Sequence, residues 1–377
     1  MTVVVKPVSN KTDLRDFLAV PFETYRGDPN WVAPLFLERM DHLNPKKNPY
    51  FEHAEAQLFV AYRDGRPVGR ISAQVDRLRL EYHPDQTGQF GFFDSENSDE
   101  TAAALFQAAS GWLAARGMKQ IQGPFSFSIN DEIGLLVDGF NHPPNMMMAH
   151  GRAYYPGLVE RAGFTKVKDV IAYRNMDRGD YSPLLRKITN RALRSGDVTL
   201  RPLDKKEIKR DIGIIMDIFN DAWQHNWGFV PFTQAELNKL AADLKMLVTG
   251  EYVVIAGYKG EPAAFAVTLP NLNEWITGLN GKLLPFGWAR LIPKVIAKKP
   301  KSIRMPLMGV RRSFQDSLAG SALAAAMIDR VRSYHINRGV MECEMSWILE
   351  DNKRMRHVIE EVGGDPYKTY RIYEKAI

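Results

Sequence analysis

The sequence predicts an α/β protein with a mixed sheet, built as two tandem lobes of similar design. Three observations predict this class. The chain has 377 residues, which is more than one typical core contains and favours two domains. Strand-like and helical segments alternate late in each half, whereas the early strands form a hairpin, and this combination is typical of a mixed sheet flanked by helices. Two stretches of the first half also recur in the second half.

The first recurrence is a hairpin. Residues 57–76, QLFVAYRDGRPVGRISAQVD, consist of two apolar strands joined by a tight Asp-Gly turn. Residues 251–270, EYVVIAGYKGEPAAFAVTLP, repeat this design with a Lys-Gly turn. Gly65 thus corresponds to Gly260, an offset of 195 residues.

The second recurrence closes each half. Residues 158–173 match residues 358–373 at an offset of 200, and in both a helix ends at glycine before a tyrosine-rich strand. We therefore predict a tandem duplication with an N-terminal lobe over 1–178, a linker over 179–197 and a C-terminal lobe over 198–377.

Apolar spacing predicts the order of elements in the C-terminal lobe. Strands are indicated by alternation and helices by apolar residues three or four positions apart. The predicted elements are a strand over 199–202, helices over 204–221 and 233–248, the hairpin 251–269, a strand over 305–310, a helix over 320–337, a strand over 341–347, a helix over 352–361 and a strand over 367–374.

The composition is that of a globular protein, with 45% hydrophobic and 25% charged residues. No apolar run approaches the ~20 residues that span a bilayer, and no signal peptide is evident. The single cysteine, Cys343, excludes an intramolecular disulfide, and the eight histidines lack metal-ligand spacing, so no metal is expected. These features favour the cytoplasm, with association at the inner face of the cytoplasmic membrane as an option.

The net charge of +6 is concentrated in one segment. Nine Lys and Arg residues and no acidic residue lie between Glu274 and Asp316, so the rest of the chain sums to −3. This distribution argues against a nucleic-acid groove and favours a local anionic partner.

Residues 308–331, MGVRRSFQDSLAGSALAAAMIDRV, contain the most informative functional pattern of the chain. They indicate a strand end, a basic turn and a helix. A helix N-terminus offers unpaired N–H groups and partial positive charge to a phosphate, and Arg311 and Arg312 add full charges. The turn is predicted to hold the pyrophosphate or phosphopantetheine arm of an acyl donor. An ordinary helix start without ligand is the alternative.

This order of elements resembles the GNAT (Gcn5-related N-acyltransferase) fold, whose acyl-CoA motif is Gln/Arg-x-x-Gly-x-Gly/Ala. Gln315 and Gly320 match the motif, whereas Leu318 replaces its first glycine and restricts how closely a pyrophosphate can approach the backbone. The resemblance implies two tandem GNAT-like lobes and a donor site in the second. The donor-binding residues predicted on this turn are Met308, Val310, Arg311, Arg312, Gln315, Gly320 and Ser321.

The corresponding turn of the first lobe is acidic. It carries Asp94, Glu96, Asp99 and Glu100, which suit a helix N-terminus but repel phosphate. The N-terminal lobe is therefore expected to have a degenerate donor site and to shape the acceptor pocket or be structural.

The segments PYFEHAEAQLFVAYRDGRPVGRISAQVD, GPFSFSINDEIGLLVDGF and LNGKLLPFGWARL resemble a bacterial group of tandem GNAT-fold proteins that includes or neighbours the bacterial ceramide synthases. The resemblance implies transfer of a long-chain acyl group from acyl-CoA or an acyl carrier protein to an amine, such as a long-chain (sphingoid) base. The alternatives are a short-chain N-acetyltransferase for a small amine or protein, and a non-catalytic binding protein.

The candidate general base lies on the strand MECEMSW. Alternation places Met341, Cys343, Met345 and Trp347 on one face and Glu344 on the other. A carboxylate on a central strand is costly unless it is functional or paired, so Glu344 is predicted to be the base, directly or through water. Pairing with a neighbouring arginine is the alternative.

Three further candidates follow that strand. Glu350 leads into the next helix and is a candidate catalytic residue. Asn352 is an N-cap candidate, and in GNAT proteins an asparagine near this place contacts the donor arm. Tyr370 is a candidate general acid for the thiolate, although core packing also suits the tyrosines of this strand.

Polar residues near expected sheet-to-helix crossings are candidates for acceptor binding. In the N-terminal lobe they occur in SFSINDE and HGRAYY, and in the C-terminal lobe in WQHNWGFVPF. The candidates are Asn130, Glu132, His150, Tyr154, Asn226 and Trp227.

Residues 271–304 form a basic amphipathic insert. Apolar residues recur at helical spacing, and Arg290, Lys294 and Lys298 recur every four residues. Pro293 and its neighbouring prolines are expected to divide the insert into short helices. Residues 282–304 suit an anionic membrane surface. The alternatives are a helix packed on its own lobe with a solvated basic face, and a dock for an acidic acyl carrier protein.

Overall fold

The structure, a computed structural model, describes residues 2–176 and 196–377, together with residues 187, 190, 191, 193 and 194. The chain forms two compact units. The first contains Met1–Ile171, Ile276–Gly287 and Tyr367–Ile377, and the second contains Ala172–Trp275 and Trp288–Pro366. Most of the predicted linker 179–197, and the predicted lobe boundary at residue 178, lie outside the described residues.

Fifteen strands are found in the described chain. They are β1 (Val4–Pro7), β2 (Ala54–Arg63), β3 (Arg66–Asp76), β4 (Thr87–Ser95), β5 (Gln120–Gly123), β6 (Phe125–Ser126), β7 (Glu132–Ile133), β8 (Leu135–Asp138), β9 (Thr165–Met176), β10 (Val198–Pro202), β11 (Val253–Tyr258), β12 (Glu261–Pro270), β13 (Ser302–Val310), β14 (Glu342–Leu349) and β15 (Gly364–Ala376).

The described helices number twelve, with short 3-10 turns at Pro49–Glu52 and Gly250–Tyr252. They are α1 (Lys11–Thr24), α2 (Phe36–His42), α3 (Arg77–Tyr82), α4 (Asp99–Ala114), α5 (Tyr155–Arg161), α6 (Ile208–Trp223), α7 (Gln234–Leu247), α8 (Asn273–Ile276), α9 (Gly287–Ala297), α10 (Arg312–Gln315), α11 (Leu318–Ile336) and α12 (Lys353–Glu361).

Each unit contains a mixed sheet, as the sequence predicts. In the first unit the strand order is β1-β2-β3-β4-β5-β15, with β8 also pairing with β15, and β4 and β5 run parallel. In the second unit the order is β14-β13-β12-β11-β10, with β9 beside β14, and β13 and β14 run parallel. The parallel pair in each sheet follows an antiparallel hairpin.

The predicted hairpin repeat is confirmed. The hairpins are β2–β3 and β11–β12. Both turns place two residues at positive φ, with 52° and 76° at Asp64 and Gly65 and 51° and 92° at Lys259 and Gly260. Two consecutive positive φ values are those of a type I′ turn, whose twist suits a tight antiparallel hairpin.

The last strand differs from the sequence prediction. Sequence order assigns 367–374 to the C-terminal lobe, but from Tyr367 onward β15 belongs to the first unit and pairs antiparallel with β5, with Tyr373 opposite Gly123. Tyr373 is buried in the first unit's core and donates a hydrogen bond to Glu160 (3.0 Å). The pairing partner of a strand is set by the packing of its side chains, which chain order does not reveal.

The end of β9 belongs to the second unit. Asn175 donates to the carbonyl of Val362 (2.7 Å), and Arg356 Nε donates to the hydroxyl of Tyr173 (2.8 Å). Each unit therefore contains a strand end from the other repeat of the sequence.

The insert is divided between the units. Gly281 accepts a hydrogen bond from the N–H of Phe36 (3.0 Å), and a Cβ at Gly281 would lie 2.9 Å from the Phe22 and Phe36 rings. The insert forms two short helices, α8 and α9, as predicted, but Pro293 lies inside α9 and does not break it. Pro293 is exposed, so solvent can satisfy the carbonyl that loses its helical partner.

Helices cover both faces of the second unit's sheet. Leu323 and Met327 of α11 pack on Ala264 and Ala266 of β12. Phe265 lies between those alanines and therefore points to the other face, where it meets Trp223 at the end of α6, with ring centroids 5.8 Å apart.

Candidate functional site

Strands β13 and β14 separate partway along their length. Their parallel pairing extends from Ser302 opposite Glu342 to Met305 opposite Met345. Beyond that pair, β13 continues to Val310 beside β12. An opening between two central strands leaves room for a ligand within the sheet.

A largely apolar pocket occupies this opening. Met305 of β13, Met345 and Trp347 of β14, and Val331 of α11 line it, and Trp223 of α6 lines it as well. Because α6 and α11 cover opposite faces of the sheet, the pocket is lined from both faces. This arrangement can receive two reactants from different sides.

Few polar groups line the pocket. Cys343 is among them, and burial, followed by the neighbouring Glu344 and Glu342, raises the pKa of its thiol to about 12. The thiol is therefore protonated near neutral pH and is not a nucleophile. Two of the predicted binding residues, Asn226 and Asn352, also line the pocket, whereas Trp227 does not.

His335 is a buried imidazole in the pocket wall. The hydroxyl of Thr268 donates to the carbonyl of Tyr252 (2.8 Å), so Nε2 of His335, 2.9 Å from that hydroxyl, must carry a proton and donate. Burial, helped by Arg338, lowers the pKa of His335 to about 4. The ring is neutral at physiological pH, with Nδ1 as an acceptor.

Glu344 lies on the strand face opposite Cys343 and Met345, as alternation predicts, and is fully buried. It accepts a short hydrogen bond from Ser346. Arg304 donates to Ser346 Oγ (2.9 Å) and lies 3.9 Å from Glu344. Glu344 is thus held in a buried Arg-Ser-Glu cluster and does not line the pocket directly.

The N-terminus of α11 has the geometry of an anion site. Ser317 caps the helix by accepting from the N–H of Gly320 (3.0 Å). Among described residues, no acceptor is found for the N–H groups of Leu318 and Ala319. Gly320 approaches the carbonyl oxygen of Phe314 so closely that a Cβ would lie 2.0 Å from it, so only glycine fits this turn.

The side chains of the turn are engaged to different extents. Arg311 pairs with Asp217 and donates to the carbonyl of Pro262 (2.9 Å), whereas Arg312 has an exposed side chain. Gln315 ties the turn to the strand by donating to the carbonyl of Val310 (2.9 Å). Arg312 is therefore better placed than Arg311 to meet an incoming phosphate.

Other predicted residues of the second unit lie close to this turn or strand. Met308 lines the pocket, and Ser321 is exposed on the first turn of α11. Asn352 caps α12 by accepting from the N–H of Met355 (3.1 Å). Glu350 is half-buried, and its carbonyl accepts from Arg356 (3.0 Å).

Tyr370 is placed in the first unit by its position on β15, opposite Leu136 of β8. It is fully buried and does not line the pocket. The sequence could not anticipate this location because it depends on where the last strand pairs.

The four predicted acceptor residues of the first unit form two groups. Glu132 and Asn130 lie at the β6–β7 turn, where Arg39 binds Glu132 (2.7 Å). Burial would raise the pKa of Glu132, but Arg39 and then His42 lower it below its usual value.

The second group lies beside Asp94. His150 contacts Asp28 (3.1 Å), and burial lowers its pKa. Tyr154 donates to the carbonyl of Ser95 (2.8 Å), and burial raises its pKa to about 12. These distances show internal partners for both side chains.

The acidic turn of the first unit is filled by internal contacts. Asp94 accepts from Tyr25 (2.8 Å), Tyr155 (3.1 Å) and Arg70 (2.7 Å), and Glu96 pairs with Arg63 (2.9 Å). These contacts occupy the place that corresponds to the basic turn of the second unit.

Sequence reasoning missed Trp223, Arg332 and His335 in the pocket wall. The alternation of MECEMSW did indicate the face that lines the pocket. No comparable local signal identifies α6 or α11 residues, because their role depends on the separation of β13 from β14.

Among described residues, no group of three or more His, Cys, Asp or Glu side chains could hold a metal ion. In the same part of the chain, no helix is long and apolar enough to cross a bilayer.

Solved structures establish the class of fold. A tandem GNAT protein from the clavulanic acid biosynthesis pathway aligns with a TM-score of 0.59 at 12% identity, over 99% of this chain and 98% of its own. A GCN5-related N-acetyltransferase from Sphaerobacter thermophilus aligns with a TM-score of 0.55 at 13% identity, over 99% and 95%. The fold is therefore that of tandem GNAT proteins, as the sequence predicts.

Sequence relatives define the family, although no family model matches the chain. The bacterial ceramide synthase of Caulobacter vibrioides (strain NA1000 / CB15N) is 45% identical over 374 residues, covering 99% of this chain and 97% of its own. Protein YghO of Escherichia coli (strain K12) is 43% identical over 376 residues, covering 99% and 95%. The chain is an N-acyltransferase that belongs to the bacterial ceramide synthase family.

Proposed function

We propose that the second unit transfers a long-chain acyl group from an acyl thioester to the amine of a long-chain base. The observation that carries this proposal is the apolar pocket between β13 and β14, lined by side chains such as Met305, Met345 and Val331. An acetyl group is too small to contact so many apolar side chains, whereas a fatty chain gains binding free energy from every methylene that it buries. The name of the Caulobacter relative supports the same acceptor class.

The donor phosphate is proposed to bind at the N-terminus of α11. The N–H groups of Leu318 and Ala319 and the side chain of Arg312 supply donors and positive charge there. Met308 and Val310 at the end of β13 would contact the phosphopantetheine arm, with Asn352 on the opposite wall. The remaining predicted donor contacts are Arg311, Gln315, Gly320 and Ser321.

Coenzyme A and an acyl carrier protein both present a phosphopantetheine thioester, so this turn suits either donor. The exposed side chain of Leu318 limits close approach of a bulky pyrophosphate. The single phosphodiester of a carrier-bound arm makes a smaller demand on this turn.

The reaction requires one proton to leave the acceptor ammonium and one to reach the departing thiolate. The free amine attacks the thioester carbonyl, an amide C–N bond forms and the C–S bond breaks. We propose that Glu344 accepts the amine proton through water, because neither Glu344 nor Ser346 lines the pocket itself. Glu342, which does line the pocket, is the competing carboxylate.

Glu350 and Tyr370 remain predictions for catalytic roles, and Asn226 and Trp227 remain predictions for acceptor binding. In the first unit, Asn130, Glu132, His150 and Tyr154 likewise remain predicted acceptor residues. We propose that this unit binds no donor, because internal tyrosine and arginine side chains satisfy Asp94.

The test is turnover by the purified chain with a long-chain base and each of three donors: palmitoyl-CoA, palmitoyl-carrier protein and acetyl-CoA. Mass spectrometry of the amide product gives the rates. A long-chain amide formed faster than the acetyl amide is the expected result. Preference for acetyl-CoA would select the short-chain alternative.

A double variant, Glu344→Gln with Gly320→Asp, provides the control for catalysis. Loss of turnover in a folded double variant is expected. If cells lacking the gene are rescued equally by the wild type and the double variant, the non-catalytic binding function is correct instead.

A further inference from the structure

We propose that helix α9 (Gly287–Ala297) is a docking surface for a bilayer that contains anionic lipid. The proposal extends the proposed function, on which it rests only for the idea that the acceptor is a membrane lipid.

Large apolar side chains of α9 face solvent along one stripe. Trp288, Ile292 and Ile296 lie four residues apart, and their exposed fractions are 49%, 47% and 74%. The whole helix is described, and none of its residues is buried; Leu291 and Val295 are half-buried. In the chain, Leu284 and Phe286 just before the helix are exposed as well.

Such a stripe is unusual on a protein surface. Scattered exposed apolar residues are normal, but a contiguous row on one helix marks an interaction surface. Two other helices expose large apolar residues, Leu37 and Met40 on α2 and Met246 on α7, but neither exposes three of them at intervals of four residues.

Basic side chains accompany the apolar stripe. Arg290 and Lys294 are exposed on α9, two positions out of step with the apolar residues and therefore on the other side of the helix. Lys299 and Lys301 follow the helix and are exposed too. The sequence has no acidic residue between Glu274 and Asp316 to offset these charges.

The structure narrows the basic surface predicted over 282–304. Arg304 is buried and bound to Ser346, so it does not face solvent. The exposed cations of this surface are Lys282 before α9, Arg290 and Lys294 on it, and Lys299 and Lys301 after it.

An anionic bilayer interface fits both features. An eleven-residue helix is about 16 Å long, too short to span a bilayer but suited to lie in its interfacial plane. The apolar stripe would enter the acyl boundary, while the long basic side chains reach lipid phosphates.

Two other occupants fit less well. An acidic carrier protein would pair with Arg290 and Lys294 but has no need of three large apolar side chains. A second copy of the chain would bring its own cations against these, and like charges oppose that contact. Both occupants can be distinguished in the test.

The experiment is sedimentation of the purified full-length chain with phosphatidylcholine vesicles, with and without phosphatidylglycerol. Binding only to the anionic vesicles, weakened by salt, is expected. The variant Ile292→Asp/Ile296→Asp should abolish binding, whereas Met246→Asp, which removes an exposed apolar residue from α7, should not.

A charge variant tests the electrostatic component. Lys294→Glu/Lys299→Glu should weaken binding by roughly fivefold or more per charge at low ionic strength. Lys209→Glu on α6, an exposed lysine outside the basic segment, is the matched control and should bind as the wild type does.

Turnover of a soluble short-chain donor and amine separates this proposal from the proposed function. The α9 variants should keep that turnover while losing turnover of an amine embedded in anionic vesicles. The proposal is overturned if the wild type does not bind anionic vesicles, or if both α9 variants still bind. A carrier protein captured through Lys294, or a dimer broken by the Ile292/Ile296 variant, without vesicle binding, would also overturn it.

Discussion

Met305 and Met345 are the last residues to pair between β13 and β14, and both line the apolar pocket. One residue before this pair, Arg304 lies opposite Glu344, and both side chains point to the other face. The place where the two strands separate therefore has an apolar lining on one face and a buried ionic cluster on the other.

We predict that Glu344→Gln lowers kcat by about a hundredfold or more while leaving KM for the donor unchanged. Glutamine can keep the contact with Ser346 but cannot accept the amine proton. Ser346→Ala should also lower kcat, because the Ser346 hydroxyl donates the hydrogen bond that holds the Glu344 carboxylate in place.

Glu342→Gln is the matched control on the same strand, and it should retain most activity. Thermal unfolding of each variant should be recorded, because loss of the Glu344 charge leaves Arg304 buried and can cost about 1–3 kcal/mol. If Glu342→Gln is the inactive variant and Glu344→Gln is active, the base has been misassigned.

Gly320→Ala should raise KM for the acyl donor at least tenfold. The added Cβ would lie 2.0 Å from the carbonyl oxygen of Phe314, so the turn that presents the N–H groups of α11 must shift. Gly213→Ala in α6 is the control, because a Cβ there meets nothing within 4 Å. That control should stabilise the fold by about 0.5–1 kcal/mol, and unchanged donor KM in Gly320→Ala would contradict the donor site.

Leu318→Gly should lower KM for acyl-CoA severalfold. Leu318 is 91% exposed, so its removal forfeits little packing and opens the backbone to a pyrophosphate. The cost to the helix should be about 0.5–1 kcal/mol. Direct titration of each protein with coenzyme A measures the affinity. The affinity of Leu318→Ala should lie between those of the wild type and Leu318→Gly. Equal affinities in all three proteins would show that the phosphate binds elsewhere.

Ile328→Trp should shorten the preferred acyl chain. Ile328 is a half-buried residue of α11 in the pocket wall, so a larger side chain fills the pocket rather than the core. The ratio of palmitoyl to acetyl turnover should fall at least tenfold. Ser333→Trp, at an exposed position of the same helix, should leave the ratio unchanged. A preserved ratio in Ile328→Trp would place the acyl chain outside this pocket.

His335 should make the fold sensitive to acid. Its pKa is about 4 in the folded chain, compared with 6.5 unfolded, so below pH 6.5 the unfolded state takes up the proton first. The stabilisation by the neutral ring is complete above pH 6.5 and is lost as pH falls to about 4. It amounts to about 3 kcal/mol at most.

Chemical denaturation of wild type and His335→Gln between pH 7 and pH 4 tests this. Glutamine can still donate to Thr268 but does not titrate. The difference in unfolding free energy between the two proteins should shrink as pH falls. A difference that stays constant over this range would mean that His335 has the same pKa in the native and unfolded states.

Local sequence patterns were sufficient to predict several features of the structure. The hairpin repeat appears at β2–β3 and β11–β12, and the helix predicted over 320–337 is observed over Leu318–Ile336. The alternation of MECEMSW correctly separated Glu344 from Met345. These features depend on backbone periodicity and turn geometry within a few residues, which adjacent side chains determine.

Three other features of the protein were decided by the tertiary structure alone. It paired Tyr373 with Gly123 in the first unit, buried Arg304 against Ser346, and left the apolar stripe of α9 exposed. Each depends on contacts between segments tens to hundreds of residues apart, where packing and desolvation choose among partners of similar local pattern. The sequence by itself thus determined the repeated elements and the helix that starts at Leu318. Which strands pair, which charges are buried and where the sheet opens were decided by the packing of remote side chains.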